Sequence, residues 1–174
     1  MSKRTTLIAF ILAVAVQVMM LVAVPARRAL TLANGKRVVL RVQPVDPYSI
    51  LSGYYVTLGY EISRREVFAN GSDFADEGSC YAVLERGADG IWKPISLERE
   101  LPKALPDNRI ALAGRMRYGR IEYGIEDFYI PESRRRAVAD DLRNHPDKAR
   151  VEIKVDGSGN VALERLRIED RIYE

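Results

Sequence analysis

Cysteine and histidine occur once each in the 174 residues, as Cys80 and His145, and tryptophan only as Trp92. One cysteine excludes an internal disulfide framework, and one of each excludes a structural zinc site of the Cys/His type. No acidic residue precedes Asp46, and no charge of either sign lies between Arg4 and Arg27. Beyond residue 25 the balance is 25 basic against 24 acidic side chains. That remainder lacks the concentrated basic excess of a nucleic-acid-binding domain, so no nucleic-acid partner is expected. There is no low-complexity tract, internal repeat or Gly-x-Ser-x-Gly nucleophile elbow. Asp156, Ser158 and Asn160 imitate the opening of a calcium loop, but Val161 stands where glycine is needed and Arg167 where the closing glutamate is needed. A hairpin turn is expected there, and neither a metal nor a cofactor is expected anywhere in the chain.

What is present begins with an apolar run. The 22 residues between Arg4 and Arg27 are apolar except for Thr5, Thr6, Gln17 and Pro25. As a helix they reach about 33 Å, enough to cross a hydrocarbon core of about 30 Å. Hydrocarbon offers the backbone no other hydrogen-bond partner, so a helix is required. A cleaved signal peptide would end near Val24-Pro25-Ala26, but its apolar stretch would span only about 7–15 residues. Residues 7–25 therefore read as an uncleaved anchor in the lipid bilayer, with residues 1–6 as a cytoplasmic head and 26–35 as a linker. Lys3 and Arg4 favour a cytoplasmic amino terminus, although Arg27, Arg28, Lys36, Arg37 and Arg41 crowd the other flank. The expected placement is single-pass in the inner membrane, with residues 36–174 on the extracytoplasmic side. Gln17 is the one amide in the span, a side chain that another membrane helix could satisfy.

The rest reads as one antiparallel, mainly β domain, a barrel or sandwich, with one short helix. Val38, Leu40 and Val42 alternate with Arg37 and Arg41, predicting a strand over 36–42 that Pro44 and Pro47 then break. Tyr54, Val56, Leu58, Tyr60 and Ile62 predict a second strand. Residues 63–78 read as a polar loop. Strands over 80–86 and 91–97 flank Gly87-Ala88-Asp89-Gly90, and further strands are expected over 109–118 and 120–130. Pro131 suits the first position of a helix, with Glu132 in its first turn and Asn144-His145-Pro146 at its end. A hairpin over 149–155 and 161–168 closes the chain. Cys80, alternating with Ala82 and Leu84, reads as a small core residue.

Two blocks stand out. The first runs Gly53-Tyr54-Tyr55-Val56-Thr57-Leu58-Gly59-Tyr60, and the second Tyr123-Gly124-Ile125-Glu126-Asp127-Phe128-Tyr129-Ile130-Pro131-Glu132. Together with the anchor and the closing hairpin they resemble the GDYXXLXY family of membrane-anchored bacterial proteins. Gly53, Tyr55, Leu58 and Tyr60 match the naming motif, and Tyr54 replaces its Asp. The resemblance implies no established reaction; it implies a protein often encoded beside a multi-pass membrane protein. A tyrosine cannot replace a catalytic or metal-binding aspartate at neutral pH, so either that position serves turn geometry, the preferred reading, or this protein has lost an activity.

The leading expectation is a non-catalytic binding or partner subunit of a multi-pass membrane protein in the bacterial envelope. Its candidate binding residues are Gly53, Tyr55, Leu58, Tyr60, Tyr123, Gly124, Glu126, Pro131 and Glu132. One alternative is an envelope hydrolase using Glu126 with Glu132, a pairing that needs the two carboxylates close together. Against it, Glu132 reads as a helix-start residue and Glu126 as the partner of an arginine on a neighbouring strand. The other alternative is a small-ligand-binding barrel, its cavity lined by Tyr54, Tyr55, Tyr60 and Trp92. Tyr60 and Tyr123 are expected to pack near each other.

Overall fold

The computed structural model describes residues 3–43, 51–52 and 55–173, and of residues 3, 5, 6, 9, 51, 52, 55 and 135 only the backbone. Pro44 and Pro47, with the strand break assigned to them, and Gly53 and Tyr54 of the first motif lie outside the described residues. The apolar run forms α1 (Lys3–Asn34), 32 residues long, or about 48 Å. Its large apolar side chains from Leu7 to Val24 are 40–76% exposed, so none of the described residues buries them. The helix is long and apolar enough to cross a membrane. Pro25 does not end it. The backbone stays helical through 26–34, most of the stretch read as a linker.

The last turn of α1 is tied to the domain. Thr31 is buried, and its Oγ1 donates to Asp156 Oδ2 at 2.9 Å. The other oxygen of Asp156 accepts the amides of Ser158 at 2.9 Å and Asn160 at 3.0 Å. One carboxylate thus shapes a hairpin turn and holds the helix end. Gly35 makes the tight exit, because a Cβ there would lie 2.5 Å from the Thr31 carbonyl oxygen and 2.9 Å from the Val155 amide nitrogen.

The strands are β1 (Lys36–Gln43), β2 (Leu51–Ser52), β3 (Tyr55–Thr57), β4 (Gly59–Tyr60), β5 (Glu77–Arg86), β6 (Trp92–Glu98), β7 (Arg109–Arg117), β8 (Arg120–Glu122), β9 (Asp127–Tyr129), β10 (Ala149–Val155), β11 (Val161–Ile168) and β12 (Arg171–Tyr173). They form a five-stranded sheet in the order β12-β11-β10-β1-β4, a four-stranded sheet β6-β5-β7-β8 and a small sheet β2-β3-β9, with every pairing antiparallel. The arrangement is sandwich-like, and among the described strands no barrel closes.

Val38, Leu40 and Val42 of β1, Val151, Ile153 and Val155 of β10, and Ala82 and Leu84 of β5 are buried in one continuous core with Cys80. This is the alternation of a sheet with one covered face. The turn at 156–160 bridges the two large sheets: the Ala113 amide of β7 donates to the Gly159 carbonyl at 2.8 Å. With φ of +82° and Ala113 N only 3.0 Å from where a Cβ would stand, that position requires glycine.

Several expectations need correction. The single strand over 54–62 is broken: β3 and β4 belong to different sheets, and 61–63 forms a short 3-10 turn. The strand over 120–130 is likewise two short strands separated by 123–126. The polar loop at 63–78 is partly folded inward, with Phe68 buried in the core. Helix α2 (Glu132–Asn144) has Pro131 at its cap, one residue before the position expected. Strand β12 was not foreseen; three residues at the chain's end carry too little alternation to register. The interior barrel cavity is absent among the described residues, since Tyr60 and Trp92 are packed in the core at 1% and 4% exposure.

Asp156 yields a testable consequence. Burial alone would raise its carboxyl, but hydrogen bonds from the Asn160 side chain, from Thr31 and from the amides of Asn160 and Ser158 outweigh that and hold it below the usual carboxylate range. The stability so gained is present above the unfolded value of about 3.9 and is lost as pH falls through the lower folded value. Asp156→Asn in the detergent-solubilised full chain is expected to lower stability at pH 7 by about 1–3 kcal/mol. Its acid limb, followed by circular dichroism melts, is expected to be flatter than the parent's; equal acid limbs would refute this role.

Candidate functional site

The two motif blocks meet because the chain changes sheets at Leu58. Before it, β3 pairs with β9, Tyr55 opposite Tyr129, Val56 opposite Phe128 and Thr57 opposite Asp127. After it, β4 pairs with β1, Gly59 opposite Gln43 and Tyr60 opposite Val42. Between these ladders the Leu58 amide would be orphaned, and it donates instead to the Glu126 carbonyl at 2.7 Å.

Two buried tyrosines lock this crossing. The Tyr60 hydroxyl donates to the Ile125 carbonyl at 2.7 Å, and the Tyr123 hydroxyl donates to the Ile62 carbonyl at 2.7 Å. Each phenol therefore bonds the main chain of the segment that carries the other. Both must remain protonated to donate, and burial ensures it. Burial first, then the charges of Glu126 and Asp127, push the Tyr60 phenol well above its ordinary value. Burial, then Cys80 and Glu126, do the same for Tyr123. The Tyr123 ring has room because its neighbour on β7 is Gly114, where a Cβ would lie 3.1 Å from the ring.

Glu126 closes the second block on itself: its Oε1 accepts the Tyr123 amide at 2.6 Å. That replaces the arginine pairing expected for it. Gly124, at φ +76°, supplies the left-handed residue that this turn needs. Glu132 is exposed on the first turn of α2 and does not line the cleft that Glu126 lines. Leu58 is buried, and Pro131 is exposed at the start of α2.

Beside the crossing lies an open cleft of about 490 Å³. Thr57, Leu58, Gly59, Glu126 and Asp127 form one wall, and the β7–β8 hairpin forms the other through Arg117, Tyr118 and Arg120. Tyr118 is 83% exposed and is held at φ +50°, a strained value for a residue with a Cβ. Sequence reading missed Tyr118: Tyr118-Gly119 reads as an ordinary turn, and its exposure depends on where the hairpin points. Among the described residues no three His, Cys, Asp or Glu side chains group as a metal site requires.

The chain thus combines an N-terminal helix of membrane-spanning length with a sandwich-like β domain in which two tyrosine-bearing blocks are fastened at a sheet crossing. A family model described as GDYXXLXY protein matches residues 17–166, and the chain belongs to the GDYXXLXY family. No curated protein and no solved structure matches it.

The crossing predicts its own chemistry of failure. Tyr60→Phe leaves the Ile125 carbonyl without its donor and is expected to cost about 1–3 kcal/mol, while Tyr60→Ala, which also empties the ring site, is expected to cost about 3–5 kcal/mol. An unfolded tyrosine titrates near about 10 and the folded ones well above it. Stability from each is thus complete below about pH 10 and falls by up to about 1.4 kcal/mol per pH unit above it. The Phe variant should show a shallower alkaline limb in chemical denaturation. A variant that melts and titrates like the parent would remove the structural role assigned to this hydroxyl.

Proposed function

We propose that this protein is a single-pass inner-membrane protein whose β domain lies outside the cytoplasm and acts as a non-catalytic binding or partner subunit of a multi-pass membrane protein. The observation that carries this reading is the use made of the motif side chains. The motif tyrosines Tyr60 and Tyr123 spend their hydroxyls on main-chain carbonyls, and Glu126 spends one oxygen on a main-chain amide. These three residues therefore build a platform.

What the platform presents is recognition chemistry. Tyr118 stands between Arg117 and Arg120 at a cleft rim, and tyrosine and arginine dominate binding hot spots. Tyr129 on the edge strand β9 is also exposed. A residue kept in an unfavourable backbone conformation and in solvent points to selection for contact rather than for stability. In the bilayer, Gln17 supplies an amide that a neighbouring helix can satisfy. The basic amino terminus supports a cytoplasmic head.

Tyr118→Gly separates the two demands. Glycine accepts φ +50° freely, so the variant is expected to melt at the parent's temperature or slightly above it. Co-purification with the multi-pass protein encoded beside it, in mild detergent, is expected to fall at least about tenfold, the effect of losing a hot spot of about 1.4 kcal/mol or more. Undiminished co-purification would remove the cleft rim from the interface. Recovery of parent monomer alone would overturn the partner reading, and protection of the β domain from protease added to spheroplasts would overturn its placement.

A further inference from the structure

The outward face of the five-stranded sheet carries an arrangement that the family assignment does not explain. In register across three neighbouring strands stand Arg41 of β1, Arg150 of β10 and Arg167 of β11: Arg41 is opposite Arg150, and Arg150 is opposite Arg167. Residues directly opposite share a face, and adjacent strands lie about 4.8 Å apart, so three guanidinium groups share a row about 10 Å wide. Like charges opposite one another destabilise a sheet. The chain places three in one rung although its residues beyond the anchor are almost neutral overall.

Nearby acids offset this only in part. Glu152, one rung away, sits 3.3 Å from Arg167 but is shared with Arg37 at 3.6 Å and Arg165 at 3.8 Å. Arg150 turns its Nη1 to the carbonyls of Asp147 and Ala149, each at 2.7 Å. Burial first, and then the Arg41 charge, hold the Arg150 guanidinium below its ordinary value, with Asp89 and Asp147 opposing. Arg41 and Arg167 are exposed to solvent.

We infer that the Arg41–Arg150–Arg167 rung is a binding site for a phosphate-bearing anion. Guanidinium forks match phosphate oxygens in a planar, bidentate geometry, and two exposed forks flanking a third fixed to the backbone can hold one phosphate between them. The phosphate comes either from an anionic phospholipid headgroup or from a soluble phosphate compound. The site lies on the sheet's outer face and shares no residue with the tyrosine crossing or the cleft beside it, so it stands or falls apart from the partner reading.

The test uses the full chain in nanodiscs of phosphatidylcholine, with and without phosphatidylglycerol, and reads melting temperature against added inorganic phosphate or chloride at equal ionic strength. Phosphate is expected to raise the midpoint about 3 °C or more beyond chloride, as a ligand near saturation does. Arg41→Gln and Arg167→Gln are expected to abolish that difference. Arg41→Gln should also melt higher than the parent in phosphatidylcholine without phosphate, because it relieves the repulsion. A purely structural arginine would give the opposite sign. If phosphatidylglycerol alone raises the parent's midpoint, and phosphate then adds nothing, the headgroup is the source; if the lipid has no effect and phosphate does, the source is soluble. Equal effects of phosphate and chloride, or a phosphate effect that survives in Arg41→Gln, would overturn the site.

Discussion

The structure depends on a chain that leaves one sheet and joins another within three residues. Such a crossing normally strands backbone amides away from water, and each stranded group costs about 1–3 kcal/mol. Here the Leu58 amide finds the Glu126 carbonyl, and the Tyr60 and Tyr123 hydroxyls find the Ile125 and Ile62 carbonyls. The exchange is reciprocal, so neither segment can withdraw without leaving its own phenol and the other's carbonyl unpaired. Breaking one bond weakens the geometry of the second. The pair thus acts as a unit whose loss exceeds two separate bonds.

This constraint gives the leucine and the last tyrosine of the family motif, Leu58 and Tyr60, an architectural role. Leu58 fills the core at the pivot, and Tyr60 fills it one step further on while reaching a carbonyl that a phenylalanine could not bond. Glycine at 114 leaves the space that the Tyr123 ring occupies. Family membership is therefore first a statement about architecture. The exposed features lie on what this architecture supports: the hairpin that carries Tyr118, and the outer sheet face.

Much of this was legible from pattern. The alternations at 36–42, 80–86, 91–97, 149–155 and 161–168 appear as strands within a few residues of their expected bounds, because each contributes buried side chains to the core. Helix α2 was readable from Pro131 and the Asn144-His145-Pro146 stop. The alternation from Val56 to Ile62 was equally clear, yet it misled. Alternate residues there are buried throughout, but in two sheets and a 3-10 turn, and periodicity reports burial without naming the partner strand. That Tyr60 and Tyr123 would come together was an inference from their shared aromatic character. The carbonyls they bond could not be foreseen, because main-chain acceptors leave no trace in side-chain identity. The same limit hid Glu126: an arginine was the sensible partner on charge alone, but a local amide three residues back was nearer.

Two features depart from what stability alone would choose, and neither shows in composition. A β-turn would be more stable with glycine than with Tyr118 at φ +50°, and a sheet would be more stable without three arginines in one rung. Both are exposed, so neither is a by-product of packing the core. They lie in different sheets, one on the β7–β8 hairpin and the other on strands β1, β10 and β11. The Thr31–Asp156 bond and the Gly35 turn fix the end of α1 to the hairpin of β10 and β11, the same strands that carry Arg150 and Arg167. An anion bound on that face would therefore load strands already fastened to the anchor. A partner gripping Tyr118 would instead pull on β7, which reaches those strands through the Gly159–Ala113 hydrogen bond. The proposed partner contact and the proposed anion site would thus share one core without sharing a residue.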